Sequence, residues 1–297
     1  MPDVLVGSTL PQFTDDRERF IEGVRRAESA GLDSIWVFDH LWPLTGPKER
    51  PVLECWTTLA WIAAATESIK IGTLVTRSSL RHPALLAKMA ATVADIAPGR
   101  LIVAIGSGDD QSRAENESFG IPYWEGEERV RQLTSTVEVM VDFFQWGRVS
   151  RSDDFVTIAD LPASPRPPAP TVWVGGRSDD VIDVAARRAD GWNGWGGTVD
   201  RFTQDAQRVL DLAGGRDLEL SWAGLGMLAG SDAEARDLLG DRNPNTWIWG
   251  SPERVAERVR RFVDAGARHV VLTFPDPWRE GTYELLGGQV RDLVREP

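Results

Sequence analysis

Short β-branched runs alternate along the chain with stretches of helical period, the pattern of parallel βα architectures. Val4–Ser8 reads as a strand, and Thr14 can cap a helix whose Phe20, Val24 and Ala27 share one face. Gly31 stops that helix and Ser34–Phe38 forms the next strand. A helix over about Val52–Thr66 leads to a strand at Ile69–Leu74, and one over Ala84–Ile96 leads through Pro98-Gly99 to Leu101–Gly106. A helix over about Gly126–Trp146 precedes a longer excursion. Strands follow at Thr171–Val174, Gly191–Trp195, Leu218–Leu228 and Arg268–Phe274, with helices between them and a last helix near Tyr283–Val294.

Eight strand–helix units in 297 residues predict an α/β fold: a single (β/α)8 TIM barrel over residues 1–297. The rival is a doubly wound open sheet, which uses the same alternation. An internal echo supports the closed ring. Arg19-Phe-Ile-Glu-Gly-Val-Arg-Arg, then Ala30-Gly31 and a strand, matches Arg254-Val-Ala-Glu-Arg-Val-Arg-Arg, then Ala265-Gly266 and a strand, at one constant offset. Insertions are expected after strands 4 and 7. The first includes the proline-rich Leu161–Pro170, read as a polyproline connection within the barrel because a strand resumes at Thr171; the second is the polar segment Asp232–Asn245.

Composition narrows the class. Hydrophobic residues make up 42% and charged residues 26%, an ordinary globular mixture. No apolar run approaches the ~18 residues of a membrane span, and Met1-Pro2-Asp3 lacks a signal region, so the cytoplasm is the expected address. One cysteine, Cys55, excludes an intramolecular disulfide framework, and no histidine pair or thiolate cluster stands at metal-ligand spacing. A net charge of −12 argues against a nucleic-acid surface. Thirteen Trp against two Tyr is unusual, and Trp36, Trp42, Trp195, Trp247, Trp249 and Trp278 fall near strand ends or in the late insertion. Several at one rim would wall a flat apolar pocket.

In a barrel, chemistry sits at the C-terminal ends of the strands. Asp39-His40 follows Ile35-Trp-Val-Phe without a gap, so an acid and an imidazole emerge together at the barrel mouth. That pair suits proton transfer near neutral pH; the alternative is a loop cap at Asp39 and packing at His40. Val174-Gly175-Gly176-Arg177-Ser178 ends a strand and opens a helix, a place where backbone N–H groups can take an anion. Against this, Asp179 and Asp180 already complement the helix dipole, and Ser178 can serve as a plain N-cap. Gly106-Ser107-Gly108 is a weak dinucleotide fingerprint and reads as a tight turn. His269, inside the last strand, reads as structural.

Taken together, several segments resemble one family. They are Ala30-Gly-Leu-Asp-Ser-Ile-Trp-Val-Phe-Asp-His40, Ile71-Gly-Thr-Leu-Val-Thr76 and Arg81-His-Pro-Ala-Leu-Leu-Ala-Lys88. Then come Gly99-Arg-Leu-Ile-Val-Ala-Ile-Gly-Ser-Gly108, Pro170-Thr-Val-Trp-Val-Gly-Gly-Arg177, Ala189-Asp-Gly-Trp-Asn193 and Gly250-Ser-Pro-Glu. In this order they resemble the bacterial luciferase-like oxidoreductase superfamily, specifically its coenzyme F420-dependent branch. The resemblance implies a deazaflavin held at the strands' C-terminal ends and a hydride exchanged with a small-molecule substrate.

It also implies a bulge with a non-prolyl cis bond at Thr73–Leu74, with Thr76 nearby. Asp39 and His40 would be the catalytic pair. Asp39, Thr73, Leu74, Thr76, Ser107, Gly108, Asp109 and the phosphate turn Gly175, Gly176, Arg177 and Ser178 would bind cofactor. Asp109 stands where related sugar-phosphate dehydrogenases carry Glu, and basic residues for a sugar phosphate are not evident. FMN is the alternative cofactor, in a monooxygenase using reduced flavin and O2; a flavin-binding barrel without catalysis is the non-enzyme alternative. Arg77, Arg81 and Arg113 are expected to line an exit for the anionic F420 tail. The helices over Val52–Thr66 and Ala84–Ile96 are apolar nearly all round, which predicts a homodimer.

Overall fold

The computed structural model describes residues 4–10, 12–44, 46–276 and 278–296; Met1-Pro2-Asp3, read above for a signal region, lie outside the described residues. Eight parallel strands close into a barrel: β1 (Leu5–Thr9), β2 (Ser34–Val37), β3 (Lys70–Arg77), β4 (Leu101–Gly106), β7 (Thr171–Gly175), β8 (Gly191–Trp195), β9 (Glu219–Leu228) and β11 (His269–Thr273). The ring shuts through the β8–β9 pairing, where Gly191 faces Glu219, and through β11 between β9 and β1. Helices α1 (Arg17–Ser29), α2 (Cys55–Ala65), α3 (Pro83–Ile96), α5 (Gly126–Trp146), α6 (Asp179–Arg188), α7 (Val199–Ala213) and α9 (Pro252–Asp264) alternate with the strands.

Several helices start where the sequence caps them. Asp16 accepts from the Arg19 amide at the head of α1, and His82 caps α3 just before Pro83. His82 is thereby a capping residue. The last helical segment opens as α10 (Thr282–Glu284), loosens into a π-helix over Leu285–Val290 and ends as α11 (Arg291–Arg295).

Two excursions leave the ring. Between β4 and β7 the chain forms the short α4 (Ser112–Ser118), then α5, then an antiparallel hairpin of β5 (Arg148–Ser152) and β6 (Thr157–Pro162). The proline-rich connection therefore begins as a strand, and only its later part runs without regular structure; Ser164–Pro165 is cis. After β9 come α8 (Asp232–Leu239) and β10 (Trp247–Gly250), which pairs with Leu225–Leu228 at the far end of β9, where Leu225 also faces Thr273 of β11. The polar composition of Asp232–Asn245 hid α8, and β10 follows just beyond that segment.

The barrel interior is aromatic. Trp36 and Trp173 stack with centroids 5.1 Å apart, and His269 meets both edge-on. Ser34 ties the layer together: its Oγ lies 2.6 Å from His269 Nε2 and accepts from Trp36 Nε1 at 2.8 Å. The indoles fit because Gly72 and Gly191 present no side chain; a Cβ at either would come within 2.4 Å of a Trp ring atom. His269 is thus a core residue.

Candidate active site

A cavity of about 440 Å3 opens at the C-terminal mouth of the barrel. Its floor comes from a one-residue bulge in β3: Thr73 faces Val103 and Thr76 faces Ile105, so three steps on β3 span two on β4. The cis bond inside this bulge is Leu74–Val75, one residue later than the sequence reading placed it. Thr73 still keeps its regular ladder partner, so the irregularity begins only after it. The bulge turns Val75 over Gly106 and Gly175, which are register partners on β4 and β7. A Cβ at Gly106 would lie 2.5 Å from Val75 Cγ2, and one at Gly175 2.7 Å from Val75 Cγ1. Leu74 and Val75 line the cavity; Thr73 and Thr76 do not. Thr73 Oγ1 donates to the Ala104 carbonyl, and Thr76 accepts from Trp56 Nε1 behind the wall.

Asp39 and His40 part company where β2 ends. Asp39 is buried and off the cavity wall: its Oδ2 accepts from Thr76 Oγ1 at 2.6 Å, from the Arg77 amide at 3.1 Å and from Arg81 Nη1 at 2.6 Å. Its carboxylate is spent on holding the outgoing arm of the β3 bulge. His40 does line the cavity. Its Nδ1 lies 3.1 Å from Glu115 Oε2, which assigns the Nδ1 hydrogen to that carboxylate and leaves Nε2 free to give or take a proton.

Glu115 is the residue that sequence reasoning missed. It is fully buried on α4 and also accepts from the Leu41 and Trp42 amides and pairs with Arg77 Nη2 at 2.6 Å. Burial pushes its pKa up, but the hydrogen bond from His40 and the charge of Arg77 outweigh burial and hold the carboxyl below its ordinary range. Helix α4 has only seven residues, and its buried positions are Ser112, Glu115 and Asn116, so no apolar stripe marks the inward face. The signal that could have found it is that polar i, i+3, i+4 spacing.

The Gly175–Ser178 turn lies on the cavity wall at the head of α6. Gly176 has φ 143°, and a Cβ there would meet Val181 at 2.8 Å, so glycine is required. Ser178 occupies the N-cap position without making a side-chain cap hydrogen bond. Asp179, which would repel an anion, is paired with Arg208. Arg177 is also committed: Nε donates to Asp205 at 2.8 Å and Nη1 to the Trp195 and Gly196 carbonyls. The Gly176 amide donates to the Asn193 carbonyl at 3.2 Å, so the turn offers the backbone N–H groups after it and the Ser178 hydroxyl rather than a free guanidinium. Ser107, Gly108 and Asp109 also border the cavity, with the Asp109 carboxylate capping Ser112 of α4.

Two expectations are corrected. Arg77 and Arg81 do not form a basic exit, because Glu115 neutralises the first and Asp39 with Glu54 the second; Arg113 pairs with Glu125. Nor do several tryptophans wall the pocket. Of the six named, Trp195 lines it, while Trp36 fills the barrel interior, Trp278 packs on Phe20, and Trp42, Trp247 and Trp249 lie under cationic side chains. Among the described residues, no three His, Cys, Asp or Glu side chains are grouped to hold a metal ion.

The chain is similar to proteins of one family. The model of the luciferase-like monooxygenase family matches residues 4–239. An F420-dependent glucose-6-phosphate dehydrogenase of Kineococcus radiotolerans is 30% identical over 84% of this chain and 85% of its own length. An F420-dependent hydroxymycolic acid dehydrogenase of Mycobacterium tuberculosis is 26% identical over 92% of this chain and 66% of its own. Among solved structures, an F420-dependent secondary alcohol dehydrogenase holding an F420–acetone adduct superposes with a TM-score of 0.82 at 19% identity, covering 99% of this chain and 100% of that one. The FMN-bound oxygenating constituent of 3,6-diketocamphane monooxygenase from Pseudomonas putida reaches 0.78 at 16% identity, each chain covered fully (100%). With this barrel, this bulge and a family match over most of its length, the chain belongs to the luciferase-like monooxygenase family.

Proposed function

We infer that this protein is an F420-dependent oxidoreductase that moves a hydride between the deazaflavin and a small organic substrate. One observation carries the reading: a histidine oriented by a buried carboxylate shares a cavity with an open glycine turn at a helix N-terminus. The F420-dependent enzymes among its relatives support the choice of cofactor. The residues fit that group, since the Gly175–Ser178 turn brings main chain and the Ser178 hydroxyl to the cavity wall at a helix N-terminus and Leu74 and Val75 offer an apolar surface for a planar ring.

Bound F420 would supply a hydride donor or acceptor at ring carbon C5. Gly175, Gly176 and Ser178 hold the phosphate, and Ser107, Gly108 and Asp109 border the same site. His40 moves a proton at Nε2, and Glu115 fixes its tautomer and direction. Asp39, with Thr73 and Thr76, acts from behind by holding the bulge, so it is a positioning residue. Arg177 holds the turn through Asp205. The apolar walls at Phe38, Leu44 and Val181 exclude water from the reacting atoms. A sugar phosphate is not the substrate proposed, since Arg77 and Arg177 are already neutralised on this wall and Arg129 is left as a single cation beside Gly108 and Ser112.

Equilibrium titration with each cofactor, followed by absorbance, tests the reading. F420 is expected to bind at micromolar concentration or tighter, and clearly tighter than FMN. Tighter FMN binding would move the chain to the reduced-flavin monooxygenase reading.

The proposed form is a cytoplasmic homodimer. The surplus apolar face of α2 is largely covered, with Trp61 packed on Phe20. On α3, however, Leu85 is 54% and Ile96 42% exposed, with Met89 half-buried between them. A second copy would cover that row. Light scattering at micromolar concentration should give a dimer mass, and Leu85→Glu should shift it toward monomer; a monomeric wild type would rule the assembly out. No described helix is long and apolar enough to cross a membrane.

A further inference from the structure

We propose that Arg129, braced by Tyr123, receives the carboxylate-bearing tail of F420 and so separates F420 from FMN; this rests on the F420 reading above. Arg129 stands in the first turn of α5 and reaches the cavity wall beside Gly108 and Ser112. Three cations line the cavity among the described residues: Arg77, Arg129 and Arg177. Arg77 is paired with buried Glu115 and Arg177 with buried Asp205. Arg129 has no buried carboxylate. Its Nη1 donates to the Tyr123 hydroxyl at 2.7 Å and sits 3.4 Å from Asp110 Oδ1, on a side chain that is 95% exposed. Its Nε is buried and has no hydrogen-bond partner.

A buried guanidinium N–H without an acceptor is an uncommon arrangement, and a small turn of the Arg129 side chain toward the cavity it lines would bring that donor to an incoming oxygen. Nε and Nη2 form one side of the planar fork, which matches the two oxygens of a carboxylate. One arm of the guanidinium, Nη1, is held in advance. Tyr123 Oη accepts from Arg129 and donates to the Asp109 carbonyl at 2.9 Å, while Arg113 lies over its ring at 4.8 Å. Asp110 meets only Nη1, at a solvent-screened distance, and leaves the Nε–Nη2 side of the fork unclaimed.

F420 and FMN both end their ribityl chain in a phosphate, so the glycine turn treats them alike. They differ beyond it: F420 continues into a lactyl–polyglutamate tail rich in carboxylates, and FMN stops. A cation with unused donors on the same cavity wall is therefore placed to read the tail.

The test compares wild type with Arg129→Gln in equilibrium titrations against two compounds. One is F420; the other is the deazaflavin 5′-phosphate monoester, which keeps ring, ribityl chain and phosphate but lacks the tail. Arg129→Gln should weaken F420 about tenfold, the scale of one charge-assisted bidentate contact, and leave the monoester within about twofold. Unchanged monoester binding also reports that the variant is folded. Arg129→Lys should fall between, and Asp110→Asn should tighten F420. Equal F420 affinity in wild type and Arg129→Gln would overturn the proposal alone, as would equal losses for both compounds, which would put Arg129 at the phosphate. Failure of the wild type to bind F420 would overturn the functional reading and this inference together.

Discussion

Replacing His40 with alanine is expected to lower turnover by about 10²–10⁴-fold while F420 affinity stays within a few-fold. The split follows from the geometry. His40 reaches the cavity with Nδ1 engaged on Glu115, so the uncommitted atom is Nε2, and removing it deletes a proton carrier. The phosphate cradle is built from β7 and α6 and loses nothing. Steady-state kinetics beside a cofactor titration decide the matter. A variant that turns over normally with intact binding removes His40 from the chemistry, whereas one that fails to fold supports a packing role.

Replacing Glu115 with alanine should cost stability on the order of 3–5 kcal/mol, the usual consequence of stripping one partner from a buried ion pair. Arg77 would keep the Asn116 and Asp39 carbonyl oxygens as acceptors but lose its carboxylate, and the Leu41 and Trp42 amides would lose theirs. Glu115→Gln preserves the shape and should cost less, while still changing the pH–rate profile by taking the charge away from His40. The stability effect has a definite pH sign. The folded-state pKa of Glu115 is depressed, so its contribution is fully present above the unfolded value near ~4.3 and is lost as pH falls through the lower folded value. Denaturant unfolding at neutral and acidic pH should therefore show the gap between wild type and Glu115→Gln closing toward acid. A gap that stayed constant would remove the ionised carboxylate from the account.

The barrel was legible because its strands are buried on both faces and read as β-branched or apolar runs. Leu101–Gly106 and Gly191–Trp195 fall at the expected residues. The element β10 escaped because four residues carry too little pattern, although two of them are Trp. At the site, position along the strand identified His40 and the Gly175–Ser178 turn. Position could not tell which neighbour faces the cavity: Asp39 and His40 are consecutive on an extended chain, and such side chains point to opposite sides. The same parity separates Leu74 on the wall from Thr73 behind it. Glu115 was invisible because its partners His40 and Arg77 are distant in sequence, and both Glu115 and Arg129 stand on helix faces that are polar where they matter.

The contact of Val75 with Gly106 and Gly175 couples three positions on three strands by volume alone. Because both missing Cβ atoms would fall inside the Val75 side chain, a methyl group gained at either glycine has to be lost at position 75. Across related sequences the three residues should vary as a set, with bulk exchanged among them and their total roughly conserved. A redesign of the pocket for a wider ring would begin there: shrinking residue 75 lowers the floor, and refilling position 106 or 175 then chooses which side of the ring is raised.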